Sequence, residues 1–184
     1  QSGYGFSALV KNHLAEGSLL LFDTGGNGEA LIHNIKEFGI DPSEIQQVII
    51  SHSHLDHSGG LGHVLQSSPR AEVYVPQGNH VSFKRRFSNT SLHGVSEKVK
   101  IAPGAWISGQ IGGGIKEESL FLRTRDDEIV MLVGCTHPGL ENFIQMARDM
   151  GEIRAIIGGF HGFRKYSYLD GIQFIGACHC TQHV

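Results

Sequence analysis

Apolar positions along the chain fall into two patterns. Short runs at residues 6–10, 19–22, 48–50, 72–75, 120–124, 129–133, 153–157 and 172–177 are flanked by glycines and polar turns, which predicts strands. Two stretches instead repeat at helical spacing. Leu31, Ile35 and Phe38 do so over residues 28–38, with Gly39 to stop the segment. Leu140, Phe143, Ile144, Ala147 and Met150 do so further on, with Gly151 as the stop. Asp41-Pro42-Ser43-Glu44 carries a helix-start signal, and residues 61–65 begin another helix. Arg125-Asp126-Asp127 lies between two strand runs and predicts a hairpin.

The middle of the chain has weak periodicity. Residues 77–100 carry His80, Lys84, Arg85, Arg86 and His93, and are expected to form a solvated cover over a cleft. The lesser alternative there is an anion site at Arg85 or Arg86. Residues 111–115 read as a flexible glycine turn. Strand pairs followed by helices in each half predict an α/β fold with a four-layer αββα sandwich. At 184 residues the chain fits one domain spanning 1–184, and its start at Gln1 suggests a processed or truncated product.

Four of the predicted strands run into a histidine-bearing loop, at His52, His137, His161 and His179. Ligands gather at strand ends in layered α/β folds, so these histidines are expected to meet. The first loop is the densest. Ser51-His52-Ser53-His54-Leu55-Asp56-His57 follows the apolar run Val48-Ile49-Ile50 and precedes Gly59-Gly60. Alternation puts His52 and His54 on one side, with Asp56 and His57 on the turn beyond them. A single histidine is ordinarily a surface or satisfied core residue. Three with an aspartate at one strand end would be costly to leave unpaired, and they suit a divalent cation of borderline softness.

Composition narrows the classes. Net charge is −3 with histidines neutral, and no basic stripe with interleaved aromatics occurs, so no nucleic-acid partner is expected. Histidine, at 12 copies, stands out, and 25 glycines suit tight loops at strand ends. The odd cysteine count, Cys135, Cys178 and Cys180, does not read as a disulfide framework and favours a reducing, cytoplasmic setting. No apolar run approaches a membrane span, so no membrane partner is expected.

His-x-His-x-Asp-His after a hydrophobic strand resembles the signature of the metallo-β-lactamase superfamily. Leu21-Phe22-Asp23-Thr24-Gly25 resembles the strand and turn before its metal loop. Gly134-Cys135-Thr136-His137-Pro138-Gly139, Gly158-Gly159-Phe160-His161 and His179-Cys180-Thr181 are similar to motifs of its dihydropterin synthase-like branch, also described as β-lactamase superfamily II metal-dependent hydrolases. Residues 103–111 resemble that branch's linker between halves, whereas the glycine turn at 111–115 departs from a longer acidic, proline-containing stretch.

The resemblance implies a metallo-β-lactamase-like sandwich with two divalent ions, zinc first, manganese or iron as alternatives. His52 and His54 would bind one ion, and Asp56 and His57 the other. His137, His161 and His179, in that order, are candidates for the remaining positions. The superfamily normally adds a bridging carboxylate, but the late loops have no aspartate, so His161 stands in its place or serves as the final histidine. Cys135 is read as a buried inert thiol, with zinc ligation as its alternative. Asp23 either orients a ligand histidine or forms an Asx turn. Asp56 and His57 are the candidate catalytic residues, with Asp56 orienting or deprotonating a water whose pKa the metal brings to about 7. The expected activity is metal-dependent hydrolysis of a small anionic ester or phosphoester. Transfer of a dihydropterin diphosphate to an aromatic ribosyl phosphate is the alternative. A di-iron redox or purely metal-binding protein comes third, disfavoured because the superfamily's iron enzymes usually have Glu where this chain has His54.

Overall fold

The computed structural model describes residues 3–183 and places them in two sheets with helices outside each. The first sheet has the order β1 (Ala8–Asn12), β2 (Ser18–Phe22), β3 (Ile45–Ile49), β4 (Glu72–Pro76) and β5 (Leu92–Val95). Only β1 is antiparallel to its neighbour. The second runs β11 (Phe174–Cys178), β10 (Ile153–Gly159), β9 (Ile129–Val133), β8 (Leu120–Arg123), β7 (Ala105–Ile107) and β6 (Val99–Ala102). Its strands β9, β10 and β11 are parallel, and the others are antiparallel.

Side-chain alternation builds the layers. In β2, Leu20 and Phe22 face the space between the sheets, while Leu21 faces outward. In β9 Leu132 faces inward, and Met131 and Val133 face outward. The outer face of the first sheet is covered by Ile35 of α1 (Gly28–Glu37), Leu61 and Val64 of α3 (Leu61–Ser67) and Phe83 of α4 (His80–Arg86). The outer face of the second is covered by Leu140, Phe143, Ile144 and Ala147 of α5 (Leu140–Arg148). Three apolar seams between four layers make the αββα sandwich. Truncating a fully buried ring such as Phe143 to alanine is expected to cost about 3–5 kcal/mol.

Residues 77–100 are not a cover over a cleft. They form α4, β5 and the start of β6, and Phe83 anchors α4 in the outer core. The pattern hid this because β5 is half buried, with Gly94 at its centre. Arg86 lies over the Phe87 ring at 5.2 Å rather than facing a ligand. Residues 103–111 carry a strand of the second sheet, with Trp106 paired to Lys100 across the β6–β7 hairpin. Asp41 starts a single 3-10 turn (Pro42–Glu44), its side chain accepting from the Ser43 amide at 2.9 Å, and not an α-helix.

The strand ends carry the chemistry. Asp23 follows β2, Ser51 to His57 follow β3, Cys135 to His137 follow β9, His161 follows β10 and His179 follows β11. These are the carboxyl ends of parallel strands, all at one edge of the sandwich. Asp23, Thr136, His161 and His179 there have positive φ of 59°, 58°, 43° and 53°. Left-handed backbone at non-glycine residues costs about 1–3 kcal/mol each and clusters where function demands it.

Candidate metal centre

The β3 loop is folded by Asp23 and Thr24. One Asp23 oxygen accepts from the Ser51 amide at 2.7 Å, and the other from Ser51 Oγ and from His57 Nδ1, each at 2.7 Å. The amide and hydroxyl of Thr24 both donate to the carbonyl of His57. His54 precedes a single helical turn, α2 (Leu55–Ser58), whose Asp56 and His57 are thereby turned toward the strand ends. A Cβ on Gly60 would lie 2.3 Å from the Thr24 carbonyl oxygen, so the return path requires glycine.

These bonds fix the imidazoles. Because Ser51 Oγ donates to Asp23, it accepts from His52 Nδ1 at 2.9 Å, which leaves His52 Nε2 an unprotonated acceptor facing His54 Nδ1. His57 Nδ1 donates to Asp23, which points Nε2 inward. His137 Nδ1 donates to Glu117 at 3.0 Å, with the same result. Glu117 is fully buried, and it also accepts from the amides of Cys135, Thr136 and His137, holding that loop in place. A carboxylate or hydroxyl behind a ligand histidine is the usual support of a metal site.

Two trios of donor atoms result, with all atoms of each within 4.8 Å of one another. One is His52, His54 and His137, with His52 Nε2 2.9 Å from His54 Nδ1. The other is Asp56, His57 and His179, where His179 Nε2 lies 3.0 Å from Asp56 Oδ2 and 3.1 Å from His57 Nε2. His52 and His57 also cluster with Cys135, and Cys135 clusters with His179 and Cys180. Converging lone pairs from nitrogen, carboxylate and thiol suit a divalent cation of the zinc type, so the residues present fit such a group.

His161, ranked above His179 on the sequence, stands apart. It is exposed, its ring centroid is 5.1 Å from that of His137, and it joins none of the clusters found among the described residues. Its loop belongs instead to a cavity of about 350 Å3 lined by Thr136, Glu141, Arg164 and Lys165, beside the first trio. Glu117, Ser51 and Cys180 were not picked out by sequence. The one available signal for Glu117 was an acidic pair, Glu117-Glu118, set directly before an apolar strand.

The electrostatics favour neutral, metal-ready imidazoles. Burial, with the neighbouring His57 and His137, pulls His52 down to about 2. Burial likewise lowers His54, helped by His137, and His179, helped by His57. His57 is the exception: burial pulls it down, but the hydrogen bond and charge of Asp23 outweigh that and raise it. Burial pushes Asp23 up despite His57. Cys180 is brought down to about 6 by its contact with Cys135, against burial, and the same contact with burial pushes Cys135 up. Glu118, fully buried with neither carboxylate oxygen partnered, is pushed well above the carboxylate range by burial and by Asp23.

The family model described as Metallo-beta-lactamase superfamily matches residues 2–138, most of the chain. The chain belongs to the metallo-beta-lactamase superfamily. Among other members, a 7,8-dihydropterin-6-methyl-4-(beta-D-ribofuranosyl)-aminobenzene-5'-phosphate synthase of Methanocaldococcus jannaschii is 26% identical over 193 aligned positions, covering 77% of this chain and 65% of that protein. An uncharacterized protein of the same organism is 23% identical, covering 86% of this chain and 72% of its own length. The chain thus spans about two thirds to three quarters of these relatives. A solved N-acyl homoserine lactone hydrolase superposes with a TM-score of 0.61 at 17% identity, over 83% of this chain and 78% of that one. A metallo-beta-lactamase of Cronobacter sakazakii, a motif mutant, gives 0.58 at 16% identity, over 83% and 72%. At such identities the superpositions establish the superfamily's fold and nothing finer. Superfamily members normally bind divalent metals, and this member has the donors for it. Among the described residues no helix is long and apolar enough to cross a membrane.

Proposed function

We propose that the chain is a two-metal hydrolase acting on a small anionic ester or phosphoester. The observation that carries this reading is the pair of adjoining donor trios, in which His52, His57 and His137 are each oriented by a buried hydroxyl or carboxylate. Divalent ions held there, zinc by the donor set, supply Lewis acidity that brings water toward neutral pKa and polarises a substrate oxygen.

The chain's own residues divide the remaining work. His52, His54 and His137 hold one ion; Asp56, His57 and His179 hold the other. His57 is fully buried with both nitrogens engaged, so its part is ligation, and the proton falls to Asp56. The Asp56 side chain is 24% exposed and its Oδ2 bonds to His179, so a carboxylate reached by solvent is at hand to accept a proton from water. Asp23, Asp56 and Glu117 leave a pair of divalent ions incompletely neutralised, which favours an anionic substrate. Arg164 and Lys165 line the cavity beside the first trio, where Lys165 is paired with Glu141 at 2.7 Å.

Transfer of a dihydropterin diphosphate to an aromatic ribosyl phosphate is the second reading, favoured by the 26% identity with the synthase. The same metal positions would then stabilise a departing diphosphate. Zinc- and manganese-loaded protein should release nitrophenol from a generic phosphodiester or open a lactone. If it fails on esters, phosphodiesters and lactones yet joins the two transferase substrates, the transfer reading replaces hydrolysis.

A further inference from the structure

We propose that Cys135 Sγ bridges the two metal positions, in the role a carboxylate would otherwise fill. The inference rests on the two-metal reading above. Cys135 Sγ lies 3.1 Å from His57 Nε2. It shares one cluster with His52 and His57, which come from different trios, and another with His179 and Cys180. Its sulfur is the donor atom that these clusters have in common.

Three further observations converge on it. Asp23 and Glu117 are each occupied in holding a loop and a histidine, and among the described residues the buried Glu118 joins none of the donor clusters. At the end of β10, a Cβ on Gly159 would fall 2.5 Å from the Gly134 carbonyl oxygen, 2.6 Å from Cys180 Sγ and 3.4 Å from the Cys135 Cα, so glycine there leaves room for both cysteines. And Cys135 is held rigidly, buried, with its amide bonded to Glu117 Oε1 at 2.8 Å. Glu117 thereby positions His137 and Cys135 together.

The sizes agree. Zinc–sulfur bonds of about 2.3 Å reach two ions about 3.5–4 Å apart. On binding, the Cys135 S–H bond breaks, its proton passes to solvent, and the sulfur lone pairs form both metal–sulfur bonds. No oxidant or reductant is involved. Cys180 fills space behind Cys135 and is not itself a ligand on this proposal.

Cobalt(II) provides the test, because a thiolate ligand gives it a near-ultraviolet charge-transfer band that nitrogen and oxygen ligands do not. Titrating cobalt into the metal-free protein should raise that band through both the first and the second equivalent. Cys135→Ser should abolish the band and weaken metal binding about tenfold or more, while Cys180→Ser keeps it. X-ray absorption of the zinc-loaded unmutated protein should show one sulfur neighbour per zinc, a readout independent of whether the variants fold. Two bound ions without sulfur neighbours or a charge-transfer band would overturn the bridge and leave the two-metal reading intact. A band that saturates at one equivalent, or that vanishes with Cys180→Ser and survives Cys135→Ser, also overturns it. If no ion binds, both fall.

Discussion

The two donor trios are built on different principles. In the first, burial and the repulsion of neighbouring imidazoles keep His52 and His54 from protons, and Ser51 and Glu117 prop the rings of His52 and His137. Asp56, His57 and His179 instead include a carboxylate, and His57 rests on the buried carboxylate of Asp23, which raises its proton affinity. His52 and His54 thus offer a cation directed lone pairs with little competition from protons. The second trio offers it charge as well, but competes with the proton that His57 readily takes. One fold edge therefore presents two positions that differ in charge and in sensitivity to pH.

The largest effect that would sharpen this contrast is loss of a ligand. His54→Ala should lose most of the metal and nearly all activity. His93→Ala should change little, because that ring is exposed and stacked on Tyr74. Equal metal content in the two variants, by elemental analysis, would sink the ligand assignment. The supports should follow with smaller effects: Asp23→Asn should weaken chiefly the ion held by His57, and Glu117→Gln chiefly the ion held by His137, each by about 10–100-fold. Calorimetric titration separates the two steps, and identical losses at both steps in either variant would mean that the trios are not independent.

Two stability measurements on metal-free protein complete the comparison. His52 is held at about 2 in the fold against 6.5 when free, so between those values the unfolded chain binds a proton that the folded one does not. Its contribution is whole above about pH 6.5 and lost as pH falls, at up to about 1.4 kcal/mol per unit. His52→Asn should flatten that slope in denaturant titrations, and an unchanged slope would contradict the electrostatics. Glu118 has the opposite sign: its folded pKa lies above 4.5, so stability drains as pH rises past that value. Glu118→Met should gain about 1–3 kcal/mol at pH 8 and nothing at pH 4. A gain independent of pH would mean that packing, not ionisation, is responsible.

What could be read in the chain follows from which interactions are local. The seven residues from Ser51 to His57 display four donors within six positions, and the apolar runs of β2 and β9 announce buried strands. The ranking of His161 over His179 misjudged direction. Both follow a strand and both have left-handed backbone, and only the path of the strand end decides that one ring turns inward. Glu117 acts on residues about 20 positions away, through four hydrogen bonds that no local pattern encodes. Residues 77–100 were misread because a half-buried strand and a seven-residue helix carry too few apolar positions to show a period.

The trios also join distant parts of the chain. His57 meets His179 across 122 residues and Cys135 across 78. An ion gripped by such partners is a cross-link, closing loops whose entropy an unfolding chain would otherwise recover. It also fastens the edge where the two sheets open, so the reagent doubles as a clasp. Stripping the metal would then loosen the sandwich from its catalytic edge, and unfolding would begin where the chemistry is done.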